Sequence, residues 1–311
     1  MRFTVESWAP EYGSPGDEAA LAPPGDAVDL DAEVPRSTWA PRSAEVGTAA
    51  PDVVRVVDGV RRVDAWVWFA DGEGGSRRGM CASYAAGVVA CDTAATVVAA
   101  EVGRALFAPA GAEAVETAHG RYRHVPVASD DPDALSVALQ AEMAGLEHQV
   151  SVDACAGEAG GDDLLVVDGP LRERHRLPGA VGFVKTHDRS YLTDPAAAAV
   201  IGRLGPGQRT PVFFLGGRFS RWSWYLRLPC EVTHAWAGVV RCEASRDLDV
   251  GQAAGLADRV AVALPRLASA PHKDPRAPQN LYPIGGLERA LRRRLGDPAF
   301  LYRALRTAAA A

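Results

Sequence analysis

The stretch VVRVVDGVRRVDAWVWFA, from Val53 to Ala70, constrains this chain more than any other. Its β-branched and aromatic residues suit a pleated surface, and Asp58–Arg62 divides it into two runs, Val53–Val57 and Val63–Ala70, that predict a hairpin. The first run delivers a carboxylate, Asp58, to a strand end. The same device recurs about a hundred residues later in LLVVDGPL, where Leu164–Val167 lead into Asp168 and Gly169. Taken singly, each Asp-Gly is an ordinary turn. Taken together, two such strands can set two acids side by side at one sheet edge.

At 311 residues and 48% hydrophobic, the chain can bury a full core, and one large domain is expected rather than two small ones. A net charge of −6 and a pI near 5.7 exclude a wholly basic surface, so any nucleic-acid contact must be local or shared with a partner. Five scattered cysteines without a C-x-x-C pair suggest neither a disulfide framework nor a structural zinc site, and they read as buried thiols. The histidines show no ligand spacing, and His187 reads as a surface residue. No apolar run approaches membrane-spanning or signal-peptide length, so a cytoplasmic protein is expected.

Residues 1–50 are rich in Pro, Gly, Ala and acids and lack a period of 2 or 3.6, which predicts an extended arm, either loosely attached or pinned by Trp8 and Trp39 to the body or to a second subunit. Met80–Cys91 then reads as a third strand of a meander, Thr96–Phe107 as helix or strand, and Val115–Val127 as one strand. A helix is expected over Asp130–Gln149, with Leu135, Leu139, Met143 and Leu146 on one stripe and Glu142 and Glu147 near it. After the Asp168 strand come AVGFVKTH (Ala180–His187) as a strand, a helix over Asp194–Leu204, and strands at Val212–Leu215, Trp222–Leu228 and Trp236–Cys242. Leu248–Leu267 is helical until Pro265, and the tail closes in an amphipathic helix. Of the arginine clusters at Arg172–Arg176, Arg218–Arg221 and Arg289–Arg294, the second adjoins Trp222, Trp224 and Tyr225, which offer stacking faces to DNA; the last reads as a solvated face.

Asp58, Glu142 and Asp168 supply carboxylates in the order strand, helix, strand, and Glu147 is the alternative helical acid. Carboxylates that converge on divalent cations are what two-metal phosphodiester hydrolysis needs, and oxygen ligands select magnesium or manganese.

This order resembles an α/β ribonuclease H-like fold, a mixed sheet flanked by helices. Within that fold the chain resembles the NurA family of DNA-end-processing nucleases over residues 50–305, through VVDGV at Asp58, LLVVDGPL at Asp168, VGFVKTH with Lys185, and LYPIGGLERAL. The resemblance implies a nuclease domain over 51–311 and a manganese- or magnesium-dependent DNA nuclease. Asp58, Glu142 and Asp168 would hold metal and Lys185 would face the scissile phosphate. It further implies a homodimer docked on a HerA-like hexameric ATPase; the chain has no Walker-type motif of its own. The family places a His soon after Tyr-Pro in its last motif. Here Tyr282-Pro283 is followed by Glu288 instead, which either replaces that ligand or leaves a silent scaffold that binds DNA or an ATPase without cutting. An unrelated α/β binding protein with coincidental Asp-Gly turns is the remaining reading.

Overall fold

The computed structural model describes residues 27–70, 75–156, 163–187, 191–217 and 219–310. Trp8, most of the CAGEAGGDD loop and Arg218 lie outside them. The chain is mixed α/β, mostly antiparallel, with helices flanking the strands, and it divides into two compact units. The first takes the described residues of Met1–Val56, Ala90–Thr96 and Glu158–Gly285; the second takes those of Val57–Val89, Val97–Gly157 and Gly286–Ala311. None of the described helices is long and apolar enough to cross a membrane.

The first unit carries strands β1 (Val28–Asp29), β7 (Leu164–Asp168), β8 (Ala180–Val184), β9 (Phe213–Leu215), β10 (Arg221–Arg227) and β11 (Val239–Ser245), in spatial order β1-β9-β10-β11-β8-β7. All pair antiparallel except β7 and β8, which run parallel with Asp168 opposite Phe183. The apolar runs LLVV and AVGFV are buried at every position, as strands covered on both faces must be. Helix α2 (Pro195–Arg203) starts where Asp194 accepts the N–H groups of Ala196 and Ala197, and α3 (Val250–Ala263) starts in a capping box between Asp249 and Gln252. The helix expected to 267 stays α-helical only to Ala263 and finishes as a 3-10 turn around Pro265.

The described part of the N-terminal segment belongs to this unit. Trp39 is buried beside Leu30, Val200, Ile201 and Phe213, and its indole Nε1 donates to the Leu30 carbonyl at 2.9 Å. Glu33 accepts from both terminal nitrogens of Arg209, at 2.9 and 3.0 Å, while Asp258 takes Arg209 Nε at 2.6 Å. An Arg that is 1% exposed is tolerated because two carboxylates and the Thr210 carbonyl receive its donors.

The second unit carries most of β2 (Val54–Ala70), then β3 (Ser76–Cys91), β4 (Ala95–Ala108), β5 (Val115–Thr117) and β6 (Gly120–Pro126), in the order β2-β3-β4-β6-β5. Helix α1 (Pro132–Ala156) packs Leu135, Leu139 and Met143 on Met80, Ala82, Tyr84, Ala105 and Phe107. The C-terminal helices are α4 (Tyr282–Arg294), whose first turn lies in the first unit, and α5 (Pro298–Ala309), capped by Asp297.

The hairpin expected at Asp58–Arg62 does not exist: β2 runs unbroken for 17 residues. The ambiguous Thr96–Phe107 segment is strand, and Val115–Val127 is two strands joined by a turn at Ala118–His119. Trp236 precedes its strand, since Gly238 has a φ of +66° and β11 begins only at Val239. Cys81 and Cys242 are buried, whereas Cys91, Cys155 and Cys230 are half-buried.

Burial pushes the Glu33 carboxyl up, but Arg209, the Val212 N–H and Arg42 outweigh it and hold the group below its ordinary value of 4.5. A carboxyl lowered in the folded state stabilises above its unfolded value, and that contribution is lost as the pH falls through the folded one. Urea titrations of Glu33→Ala near neutral pH are expected to show a loss of about 3 kcal/mol, because a buried arginine loses a partner. Glu33→Gln should flatten the acid limb of the stability curve below about pH 4.5, the ordinary value quoted above.

Candidate metal centre

Pleat geometry decides which residues can meet Asp58. Gly59 lies directly under α1: a Cβ there would stand 2.5 Å from Glu147 Oε1 and 3.0 Å from Met143 Cγ. Arg61, two residues on, bonds Gln140 of the same helix. Alternate residues of a strand point to opposite faces, so Asp58 faces away from α1. On that other face lies α4, whose Leu287 and Leu291 press on β3 at Gly87, 3.2 and 3.1 Å from where its Cβ would be. Glu288 follows Leu287, and a carboxylate oxygen of Glu288 lies within 4.8 Å of one from Asp58. Two oxygens on one hard cation stand no more than roughly 4 to 5 Å apart, so this pair fits such an ion with little adjustment.

Glu142 is therefore misplaced as a partner for Asp58. Its carboxylate pairs with Arg123 and lies 3.4 Å from the Tyr84 hydroxyl, on the α1 side. Glu147 is closer in space to the Asp58–Gly59 step but shares the wrong face. The helical acid that meets Asp58 comes from α4, soon after Tyr282-Pro283, where the resemblance implies a His.

In the first unit, the second Asp-Gly does end its strand. Gly169 has a φ of +105°, a conformation that favours glycine, and its N–H bonds the Phe183 carbonyl at 2.9 Å. Lys185, two positions past the partner of Asp168 in the register, reaches back: its Nζ is 2.5 Å from Asp168 Oδ2 and 3.0 Å from Asn280 Oδ1. Asn280 is fully buried and donates to Asp274 Oδ2 at 2.7 Å. Nothing in HKDPRAPQN distinguishes Asn280 in sequence. A signal for Lys185 was present: Lys185 and Lys273 are the chain's two lysines, against a background of arginine.

The loop that leaves Asp168 is held from beneath. Glu243 Oε2 accepts the Leu171 N–H at 2.9 Å, while its Oε1 takes Arg221 Nε at 2.8 Å and Arg241 Nη1 at 2.5 Å. Burial pushes the Glu243 carboxyl up, but the charges of Arg241 and Arg221 and the Leu171 N–H hold it below the usual range.

Two other expectations fail for the same reason, burial. Trp224 and Tyr225 are in the core and offer no stacking face, and Trp222 is tied by its Nε1 to the Leu248 carbonyl at 2.9 Å. His187 is buried between Tyr225 and Trp236, with ring centroids at 5.7 and 4.8 Å.

No family model matches the sequence, nor does any curated protein. Among solved structures the chain is similar to a crystal structure of NurA bound to dAMP and manganese and to another of NurA, each at 16% identity and a TM-score of 0.23. Each alignment covers 46% of this chain and 24% of the other, so the chain spans about a quarter of the length of the structures it matches. At that score the likeness carries nothing about activity.

Gly59→Ala is expected to cost about 2 kcal/mol through overpacking under α1. Adding Glu147→Ala should recover part of that loss in a double-mutant cycle read by urea denaturation, because the two sites touch.

Proposed function

We propose that this protein is a metal-dependent nuclease in which Asp58, Asp168 and Glu288 hold the divalent cation and Lys185 contacts the scissile phosphate. The observation that carries the reading is the approach of the Asp58 and Glu288 carboxylate oxygens to within 4.8 Å. Support for Asp168 comes from Lys185, whose Nζ is 2.5 Å from Asp168 Oδ2, and from the start of its strand. The Leu164 N–H donates to the Val53 carbonyl at 3.0 Å and Arg55 pairs with Asp163, so β2 and β7 set out side by side. An all-oxygen donor set suits magnesium or manganese.

When bound, such a cation supplies Lewis-acid stabilisation of charge on the phosphate. The chain's own residues do the positioning. The three carboxylates are the groups that would hold the ion. Asn280 and Asp168 hold the Lys185 ammonium as a point charge for a phosphate oxygen. In this reading the fold is ribonuclease H-like with its helical acid on α4 rather than α1.

The resemblance in sequence extends the proposal to DNA ends as substrate, a homodimeric assembly and a HerA-like hexameric ATPase as the source of movement. The immediate test is the chemistry. Purified protein with manganese or magnesium should cut linear and single-stranded DNA, and Asp58→Asn, Asp168→Asn and Glu288→Gln should each lower the rate by about a hundredfold or more, the loss typical of a disrupted metal site. Calorimetric titration with manganese should lose its binding heat in the same variants. Cutting that survives Asp58→Asn together with Asp168→Asn would remove the proposed centre, and metal binding without any cutting would favour the silent scaffold.

A further inference from the structure

The far end of β2 in the second unit carries two tryptophans in water. Trp66 is 47% exposed and Trp68 is 61% exposed, whereas Ala65, Val67 and Phe69 between and beside them pack on Cys81, Leu106 and Tyr122. Gly79 of β3 lies under that packed face, since a Cβ there would stand 2.9 Å from Phe69 and 3.1 Å from Val67. Its neighbour Arg78 therefore projects with the two indoles. The Arg78 guanidinium lies 5.6 Å from the Trp66 ring centroid and 5.0 Å from that of Trp68. Its backbone is fixed as well, since the Arg78 N–H donates to Asp130 Oδ2 at 3.2 Å.

Large aromatics left in solvent as a pair require a reason, because burying one is worth about 1.5 to 3 kcal/mol. The guanidinium over both rings adds a positive charge, which a purely apolar partner would leave unpaired. Rings at positions i and i+2 of a strand are about 6.8 Å apart, twice the thickness of a planar ring, and a cation sits with them. A ligand that matches must present flat π-faces and negative charge at short intervals along one chain. Single-stranded nucleic acid has that chemistry: bases stack on indole and phosphates pair with arginine. Duplex DNA hides its base faces in its own stack.

We propose that Trp66, Trp68 and Arg78 form a stacking platform for single-stranded nucleic acid. The platform is independent of the metal centre, as none of its residues belongs to it. By strand rise Trp66 lies about 26 Å from Asp58.

The test is the anisotropy of a labelled oligo-dT mixed with full-length protein in EDTA, so that neither cutting nor metal binding enters. Trp66→Ala and Trp68→Ala are each expected to weaken binding about tenfold, Trp66→Phe with Trp68→Phe to retain most of it, and a duplex of equal length to bind more weakly. Arg78→Ala should weaken binding and reduce the slope of log affinity against log salt by about 0.7. Stacking should also quench tryptophan fluorescence, and the quench should vanish in the double phenylalanine variant. Circular dichroism of each variant is the check that it folds. Unchanged oligo-dT affinity in Trp66→Ala/Trp68→Ala overturns the proposal, as does the absence of oligo-dT binding at low salt. If that double variant instead lowers the mass measured by light scattering while oligo-dT still binds, the surface belongs to a second copy of the chain and the proposal fails. Loss of cutting without loss of oligo-dT binding bears on the metal centre alone.

Discussion

The pleat of β2 is the constraint from which most of the second unit follows. A strand cannot present neighbouring residues to one face, so Gly59 under α1 commits Asp58 to the face that α4 covers. That one step settles which helical acid meets Asp58. It also explains why a helix as well formed as α1, with two glutamates at the edge of its apolar stripe, contributes neither of them to the pair. Further along, the alternation slips by one. Asp64 is buried against Ser83 and Tyr122, yet its neighbour Ala65 also turns to the packed side, and the indoles of Trp66 and Trp68 are left outside. A one-residue slip of this kind re-aims every later side chain.

The first unit is held by buried charge rather than by a long pleated strand. Arg209 with Glu33 and Asp258, and Glu243 with Arg221 and Arg241, place full charges at sites that exclude water. Such groups stabilise little in net terms, but removing one partner leaves an uncompensated ion, so they enforce a single arrangement. Their placement matters for the candidate centre. Glu243 fixes the main chain three residues after Asp168, and Gly182 makes room for it: a Cβ there would stand 2.6 Å from the Leu171 nitrogen.

The strand and helix pattern was largely legible, because long β-branched runs and a capped amphipathic helix declare themselves through period and termini. Asp58, Asp168 and Lys185 could be singled out in the sequence, and the structure pairs Lys185 with Asp168 and brings Glu288 to Asp58. What escaped was anything set by which face a residue takes. VVDG and VVDG are the same letters, but Gly169 has the positive φ that ends a strand while Gly59 stays within one to let a helix approach. Aromatic residues misled in the same way. WSWYLRL and DAWVWFA are similar strings, and the core claims Trp224 and Tyr225 while the solvent receives Trp66 and Trp68. Burial of this sort depends on neighbours distant in sequence, which no local period encodes. Asn280 illustrates the extreme: its role exists only because Lys185 reaches it across 95 positions.

The use of lysine at position 185 in a chain that otherwise prefers arginine has a physical reading. A guanidinium would meet Asp168 with two parallel donors and spend its fork on that one carboxylate. An ammonium has three donors that diverge from one nitrogen, and two of them engage Asp168 Oδ2 and Asn280 Oδ1. The carboxylate and the buried amide thus aim the side chain without consuming it, and the third donor is the one that the proposed reaction assigns to a phosphate oxygen. Asp168 then serves the proposed centre twice, as a ligand for the cation and as the anchor that orients the charge beside it. An arginine at 185 would preserve the net charge of the site and lose that division of labour.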